Sequence, residues 1–366
     1  MEHLNGELKV IGMRGCEEFT AQVDHYLKQL RNTDKTFVVD AQCPRFGSGE
    51  AKALINESMR GLDLYIISDC FNYGVTYKMY GMQVPMSPDD HFQDLKRVIA
   101  ATGGKPRRIS VIMPMLYEGR QHKRSARESL DCALALQELS SMGVTNIITF
   151  DAHDPRVQNA IPLKGFDNVR PAYQMLKALL KNVPEVKLDK EHIMVVSPDE
   201  GAIGRSMYIA SVLGIELGMF YKRRNYSIII DGKNPIEAHE YLGNDLTGKD
   251  VIVVDDMISS GDSMIDVALQ LKERGAKRVF VFATFALFCN GLEKFDKAYE
   301  EGIFDKIFAT NLTYHTKEIL SREWYCDVNM SKYVSYIVDT INRDASISSL
   351  LNPVQKIHAL LDKHND

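Results

Sequence analysis

Short apolar runs alternate with amphipathic stretches along the chain. Leu64 to Ser68 (LYIIS), Ile109 to Met113, Ile147 to Phe150, Ile193 to Val196, Val251 to Val254 and Val279 to Phe282 are rich in Val and Ile and show no polar alternation. Runs of that kind suit strands covered on both faces, which predicts parallel sheets. Between them, Glu128 to Ser141 and Ser263 to Arg274 carry a helical pattern. In the second, Met264, Val267, Ala268 and Leu271 recur at i, i+3, i+4 and i+7, and Gly275 stands where a helix ends. The alternation predicts an α/β protein. A boundary is expected between the strand ending at Asp151 and a helix starting near Pro171, giving two α/β domains over 1–165 and 166–330. From Ser331 onward (331–366) the chain reads as two amphipathic helices split at Asn352–Pro353.

Composition narrows the class. At 366 residues, with 45% hydrophobic and 25% charged positions, each of two domains can bury a core. A net charge of −5 argues against a protein that holds nucleic acid by bulk electrostatics. The six cysteines (Cys16, Cys43, Cys70, Cys132, Cys289, Cys326) form no C-x-x-C pair and read as reduced, mostly buried thiols of a cytoplasmic protein. The first ten residues are polar, unlike a signal peptide. The most apolar stretch, Val279 to Cys289, is far shorter than the roughly 20 residues of a membrane helix. Neither a nucleic acid nor a membrane is expected as a partner.

The segment with most chemical content is Val251 to Ser263, VIVVDDMISSGDS. An apolar strand ends in Asp255 and Asp256, a turn of Ser259, Ser260 and Gly261 follows, and a helix is predicted to start near Ser263. Backbone N–H groups of such a turn, with the positive end of the helix, make a phosphate cradle to which the serine hydroxyls add donors. Two acids at a strand's C-terminal edge can accept bonds from sugar hydroxyls, where open α/β sheets bind ligands. Phosphate on the loop and ribose on the acids describe a ribose 5-phosphate site. Taken alone, the segment is also compatible with an ordinary strand-to-helix turn capped by Asp262 or Ser263.

This segment resembles the phosphoribosyl-pyrophosphate motif of type I phosphoribosyltransferases and ribose-phosphate pyrophosphokinases, with Asp262 where a Gly often stands. Other segments resemble the pyrophosphokinases specifically, over most of the chain from Phe46 to about Thr284. Phe46 to Glu50 (FGSGE) is similar to the family's adenine loop, which implies that Phe46 stacks on the base while Ser48 and Glu50 take its hydrogen bonds; Ser48 replaces an Asn. Glu118 to Lys123 (EGRQHK) is similar to a segment that places Arg120 and Gln121 on ATP, with His122 replacing an Asp. Ile148 to Arg156 resembles a strand ending in Asp-Leu-His, so that His153 matches a histidine binding magnesium or the triphosphate. Ser197 to Gly201 (SPDEG) resembles a turn in which Asp199 is a metal ligand and amides near Gly201 face pyrophosphate, with Ala202 for a final Gly. Phe220 to Arg224 (FYKRR) resembles the Lys-x-Arg root of a flexible catalytic loop, carrying that role to Lys222 and Arg224, and Asn225 to Leu242 reads as a loop or hairpin able to cover the site.

The resemblance implies two tandem type I phosphoribosyltransferase-like domains, each a mainly parallel sheet flanked by helices. It also implies a magnesium-dependent reaction between ATP and ribose 5-phosphate, bound by Asp255, Asp256, Ser259, Ser260, Gly261, Asp262 and Ser263. Family members form homodimers that assemble into hexamers, so a homo-oligomer is expected. Three rivals are a pyrophosphokinase for another phosphorylated ribose such as ADP-ribose, a non-catalytic regulatory paralogue, and an RNA-binding regulator. Loss of the Lys-x-Arg or metal residues would mark the second, and both are present. Gly243 to Asp250 imitates a Walker A loop but ends in Asp and precedes a strand, so it is set aside.

Overall fold

The structure, a computed structural model, describes the backbone of residues 6–224 and 236–365, and side chains outside 222–239 and 365. Two compact units account for the chain, and each is built on its own sheet.

The first unit holds Met1–Pro171 together with Asn311–Tyr314 and Asn329–Asn352. Its sheet contains β1 (Leu8–Gly12), β2 (Asp63–Ile67), β3 (Arg108–Ile112), β4 (Asn146–Phe150) and β5 (Gly165–Val169) in chain order, all neighbours parallel. Every residue of β2 is buried, as its unbroken apolar run predicts. Helices α1 (Glu17–Arg31), α2 (Pro88–Ala101) and α3 (Asp131–Ser141) connect the strands. The start of α2 is fixed by a capping box, in which Ser87 and Asp90 satisfy each other's backbone, and by Pro88 in the first turn. Ile11, Leu64, Ile66, Leu95, Val111 and Ile147 share one core.

The second unit holds Ala172–Thr310, His315–Val328 and Pro353–Asp366. Here α4 (Ala172–Asn182) leads into β6 (Ile193–Ser197), α5 (Ile203–Leu213), β7 (Glu216–Arg224), β8 (Ile236–Leu242) and β9 (Asp250–Ile258). Then follow α6 (Asp262–Glu273), β10 (Arg278–Ala286), α7 (Glu293–Glu300), β11 (Lys306–Thr310) and β12 (Tyr325–Val328). The strand order is β8-β7-β6-β9-β10-β11-β12, parallel throughout except for β8 against β7. Met194, Val196, Val253, Val267, Leu271, Val281 and Trp324 lie in its core.

Two details differ from the sequence reading. The first unit runs to Pro171, past the boundary drawn at 165/166, because β5 pairs in parallel with β4 from Asn146↔Gly165 to Phe150↔Val169. The segment 331–366 is not a separate tail. Helix α8 (Ser331–Asn342) belongs to the first unit and α9 (Val354–Asn365) to the second, where His358 and His364 bond the carbonyls of Val212 and Val186. Helix α8 is bound by charge: Arg31 pairs with Asp339, and the Asn342 amide donates to Asp63 at 2.8 Å. Asp63 is fully buried and forks onto Arg108 at 2.8 and 2.6 Å. Removing one partner of such a buried pair costs about 3–5 kcal/mol.

Candidate functional site

In the second unit the strand order reverses between β6 and β9: the chain leaves β6 toward β7 and β9 toward β10. Crevices at the carboxyl ends of strands flanking such a reversal are where open α/β sheets bind ligands. A cavity of about 180 Å³ lies there, lined by Pro198 and Asp199 after β6 and by Asp255, Ser259, Ser260, Gly261 and Ser263 at the end of β9 and the start of α6. The predicted phosphate loop and Asp199 are thus gathered around one hollow.

The loop's shape depends on Gly261. Its φ is 88°, in the left-handed region, and a Cβ there would lie 2.0 Å from the ring of Phe295. Glycine alone lets the backbone turn this close to α7 and open α6 toward the hollow. The helix starts at Asp262, one residue before the predicted Ser263.

Asp255 is largely and Asp256 wholly buried at the strand end, and the Asp256 N–H donates to the Asp255 carboxylate at 2.8 Å. Burial, then the adjacent charge of Asp256, pushes Asp255 well above the ordinary carboxylate range. Arg205 from α5 opposes this, with a guanidinium nitrogen 3.6 Å from Asp255 and 3.7 Å from Asp256. Arg205 escaped the sequence reading, although it follows the SPDEG turn closely. Its meeting with the acid pair follows from the parallel pairing of β6 with β9 (Ile193↔Asp250), which sets α5 beside the end of β9.

Asp199 is half-buried, and one of its carboxylate oxygens accepts from the Ala202 N–H at 3.1 Å. Asp262 points elsewhere: it is not among the cavity's lining residues and pairs with Lys294 of α7. The hydrogen bond from Lys294, then one from Ser260, holds its carboxyl below the usual range. Of the six cysteines, five are buried as expected, but Cys289 is exposed, its Sγ 3.6 Å from the Ser259 hydroxyl.

Lys222 and Arg224 lie on the backbone of β7, which pairs antiparallel with β8 from Met219↔Leu242 to Arg224↔Ile236. This edge pair agrees with the hairpin alternative for Asn225 to Leu242; residues 225–235 lie outside the described ones.

The residues expected to contact the nucleotide are all in the first unit. The FGSGE loop closes on itself: Phe46 N–H donates to the Glu50 carbonyl at 2.7 Å, Gly49 N–H to the Phe46 carbonyl at 2.9 Å, and the Ser48 hydroxyl to the Glu50 carboxylate at 2.7 Å. These bonds leave the Phe46 ring 55% exposed, as a face for stacking requires. After β3, Glu118 takes φ 55°, a left-handed conformation that a side chain resists. The turn exposes Arg120, while the Gln121 amide donates to the Ser129 carbonyl at 2.7 Å and so braces the connection to α3. Burial, with Asp131 and Asp89 nearby, raises Glu118. After β4, Asp154 accepts from Arg156 and is held down to about 2. The rings of His122 and His153 lie 5.4 Å apart, and His122 Nε2 is 3.5 Å from Asp154. His122, Arg120 and His153 therefore follow the C-terminal ends of adjacent strands. A larger hollow of about 770 Å³ in this unit, lined by Gly12, Arg14, Glu17 and Asp40 among others, contains none of the predicted site residues.

Among the described residues no group of three or more His, Cys, Asp or Glu could form a metal cage. The expected magnesium ligands, His153 and Asp199, belong to different units. Magnesium keeps waters and takes few protein ligands when substrate phosphates supply the rest, so one carboxylate at a phosphate-sized hollow fits that ion better than a dedicated cage would. No helix among the described residues is long and apolar enough to cross a membrane.

Two sheets of this kind, one ending in a phosphate-sized crevice beside paired acids, define a tandem phosphoribosyltransferase-type protein. The model of the N-terminal domain of ribose phosphate pyrophosphokinase matches residues 8–143, and that of the phosphoribosyl transferase domain matches residues 166–311. The ribose-phosphate pyrophosphokinase of Vibrio parahaemolyticus is 30% identical over 318 residues, 86% of this chain and 91% of its own. That of Pasteurella multocida is 30% identical over 315 residues, 85% and 90% of the two chains. The crystal structure of phosphoribosylpyrophosphate synthetase from Mycobacterium smegmatis shares the fold, with a TM-score of 0.74 at 21% identity, covering 93% of this chain and 100% of that one. The chain belongs to the ribose-phosphate pyrophosphokinase family.

Proposed function

We propose that the chain transfers the β,γ-pyrophosphoryl group of ATP to the C1 hydroxyl of ribose 5-phosphate, giving phosphoribosyl pyrophosphate and AMP. The observation that carries this reading is the hollow at the strand reversal, where a phosphate loop and Asp255, backed by the buried Asp256, adjoin Asp199. The 5-phosphate rests on the backbone and hydroxyls of Ser259 to Ser263, at the positive end of α6. Asp255 and Asp256 take the ring hydroxyls. Arg205 beside both acids offsets the repulsion between them and so supports the pair as acceptors for adjacent hydroxyls.

In this reading Phe46 stacks on adenine, with Ser48 and Glu50 at its edge, and Arg120, Gln121 and His153 take the nucleotide's remaining contacts. Asp199 in the second unit and His153 in the first are each proposed to offer magnesium a ligand, and the ion would neutralise phosphate charge during attack of the C1 oxygen on the β-phosphorus with departure of AMP. Lys222 and Arg224 supply cationic stabilisation of the transferring group and are the catalytic residues. A homo-oligomer built from dimers is the expected assembly, read by light scattering; a monomeric mass would count against it.

AMP release from ATP, magnesium and ribose 5-phosphate is the direct test, beside Lys222→Ala. The variant should lose on the order of 10³-fold in kcat with little change in thermal stability. An inert wild type with ribose 5-phosphate but an active one with ADP-ribose would transfer the reading to the larger acceptor.

A further inference from the structure

The phosphate loop contains a charge that ought to repel its own ligand. Asp262 is the first residue of α6, next to Gly261 and Ser263, both in the wall of the hollow. A carboxylate so close to a phosphate dianion opposes the helix end that would attract it. The structure shows how the charge is managed. The Asp262 side chain, 70% exposed, turns out of the hollow and meets the ammonium of Lys294, whose side chain is 27% exposed. Lys294 is in the first turn of α7, and the next residue is Phe295, whose ring fills the space a Gly261 side chain would need. One turn of α7 therefore fixes the loop's backbone and neutralises its acid.

We infer that Lys294 is a positioning and specificity residue for the sugar-phosphate acceptor, acting through Asp262: it holds the carboxylate outside the hollow and cancels its charge, so that the loop accepts a phosphate dianion. The inference rests on the reading of Ser259 to Ser263 as the acceptor's phosphate cradle. Without Lys294, the Asp262 carboxylate is uncompensated beside the bound phosphate, and the acceptor alone suffers. The ATP contacts lie on other segments and should not respond. Because Asp262 is 70% exposed, the ion pair contributes little to folding, which separates a binding role from a structural one.

The test uses four variants of the full chain: Lys294→Ala, Lys294→Arg, Asp262→Asn, and the double variant Lys294→Ala with Asp262→Asn. Initial rates of AMP formation are measured with ribose 5-phosphate and ATP varied in turn, beside melting curves. Lys294→Ala should raise the ribose 5-phosphate KM about five- to tenfold and leave kcat, the ATP KM and Tm near wild type. Lys294→Arg should preserve the KM, and the double variant should return it to within about twofold of wild type. An unchanged KM in Lys294→Ala overturns the inference. So does a double variant as impaired as Lys294→Ala, or a joint fall in kcat, Tm and ATP affinity, which would mean a distorted loop. If the wild type forms no AMP, the reaction is wrong, and the same proteins are titrated with ribose 5-phosphate by calorimetry. Weaker binding to Lys294→Ala, recovered in the double variant, then sustains the inference without the reaction. Equal binding by all, or none by the wild type, sinks it.

Discussion

The two sheets of this chain differ in one topological step. In the first unit the strands lie in chain order, β1 to β5, so no reversal opens between neighbours. In the second, the reversal between β6 and β9 leaves a crevice where their following segments diverge. The residues proposed for each substrate follow that difference. Most of the acceptor's residues converge on one hollow and are braced by buried or paired groups: Arg205 on the acids, Phe295 under Gly261, Lys294 on Asp262. The nucleotide's residues hang on separate connections, each held by its own local bonds, with Phe46 exposed. Replacing the glycine that shapes the acceptor loop should therefore disturb fold and binding together, while loss of its charged braces should weaken binding with little loss of fold. Substitutions at the nucleotide segments should disturb binding alone.

The strongest attack on this contrast is Gly261→Ala. A methyl group 2.0 Å from the Phe295 ring, at φ 88°, must displace loop or helix. It should lower kcat/KM for ribose 5-phosphate on the order of 10²-fold and destabilise by about 2 kcal/mol or more, read by kinetics and denaturant melts. A well-behaved Gly261→Ala enzyme would break the claim that the loop's shape depends on Gly261. Arg205→Ala comes next, leaving two close carboxylates without their cation. Its kcat/KM should fall between about tenfold and a hundredfold, and the acid limb of the pH profile should move upward as the pair becomes harder to ionise. Phe46→Ala tests the other side: the ATP KM should rise about tenfold while the ribose 5-phosphate KM and Tm hold.

The smallest effect is Asp255→Asn. The folded pKa of Asp255 lies above its unfolded value, so the ionised acid costs stability as pH rises through the folded value, and nothing below the unfolded one. The amide should raise Tm at neutral pH by on the order of 2 °C, with the gain vanishing near pH 4 and below, even as activity falls. A gain that persists at low pH would argue against the raised carboxyl.

What the sequence disclosed follows the range over which its signals act. The run VIVVDDMISSGDS is a local object: an apolar strand, two acids and a glycine turn are legible one residue after another, and the structure gathers most of them at one hollow. The central strands were legible because burial on both faces removes polar positions, as in β2 and β6. The strands β1, β5, β7, β11 and β12 gave weaker patterns; β5, for instance, reads GFDNV and has one buried residue. Arg205 and Lys294 were not legible at all. Each is a cation on a helix with nothing local to distinguish it, and each acquires meaning from a partner brought in by strand register or helix packing. The same limit hid the division of residues 331–366, since α8 and α9 are both amphipathic and their sequence does not say which core each face will meet.

That division governs the order of events during synthesis. The first unit is begun by residues up to Pro171 but includes Asn329–Asn352, made only after every strand of the second sheet. Until α8 arrives, Arg31 lacks Asp339, and the buried carboxylate of Asp63 lacks the Asn342 amide. The usual sequence, in which an N-terminal domain finishes before its successor emerges, is closed to this chain. Its first sheet must wait, partly assembled and in need of protection, for a helix encoded beyond the whole of the second sheet.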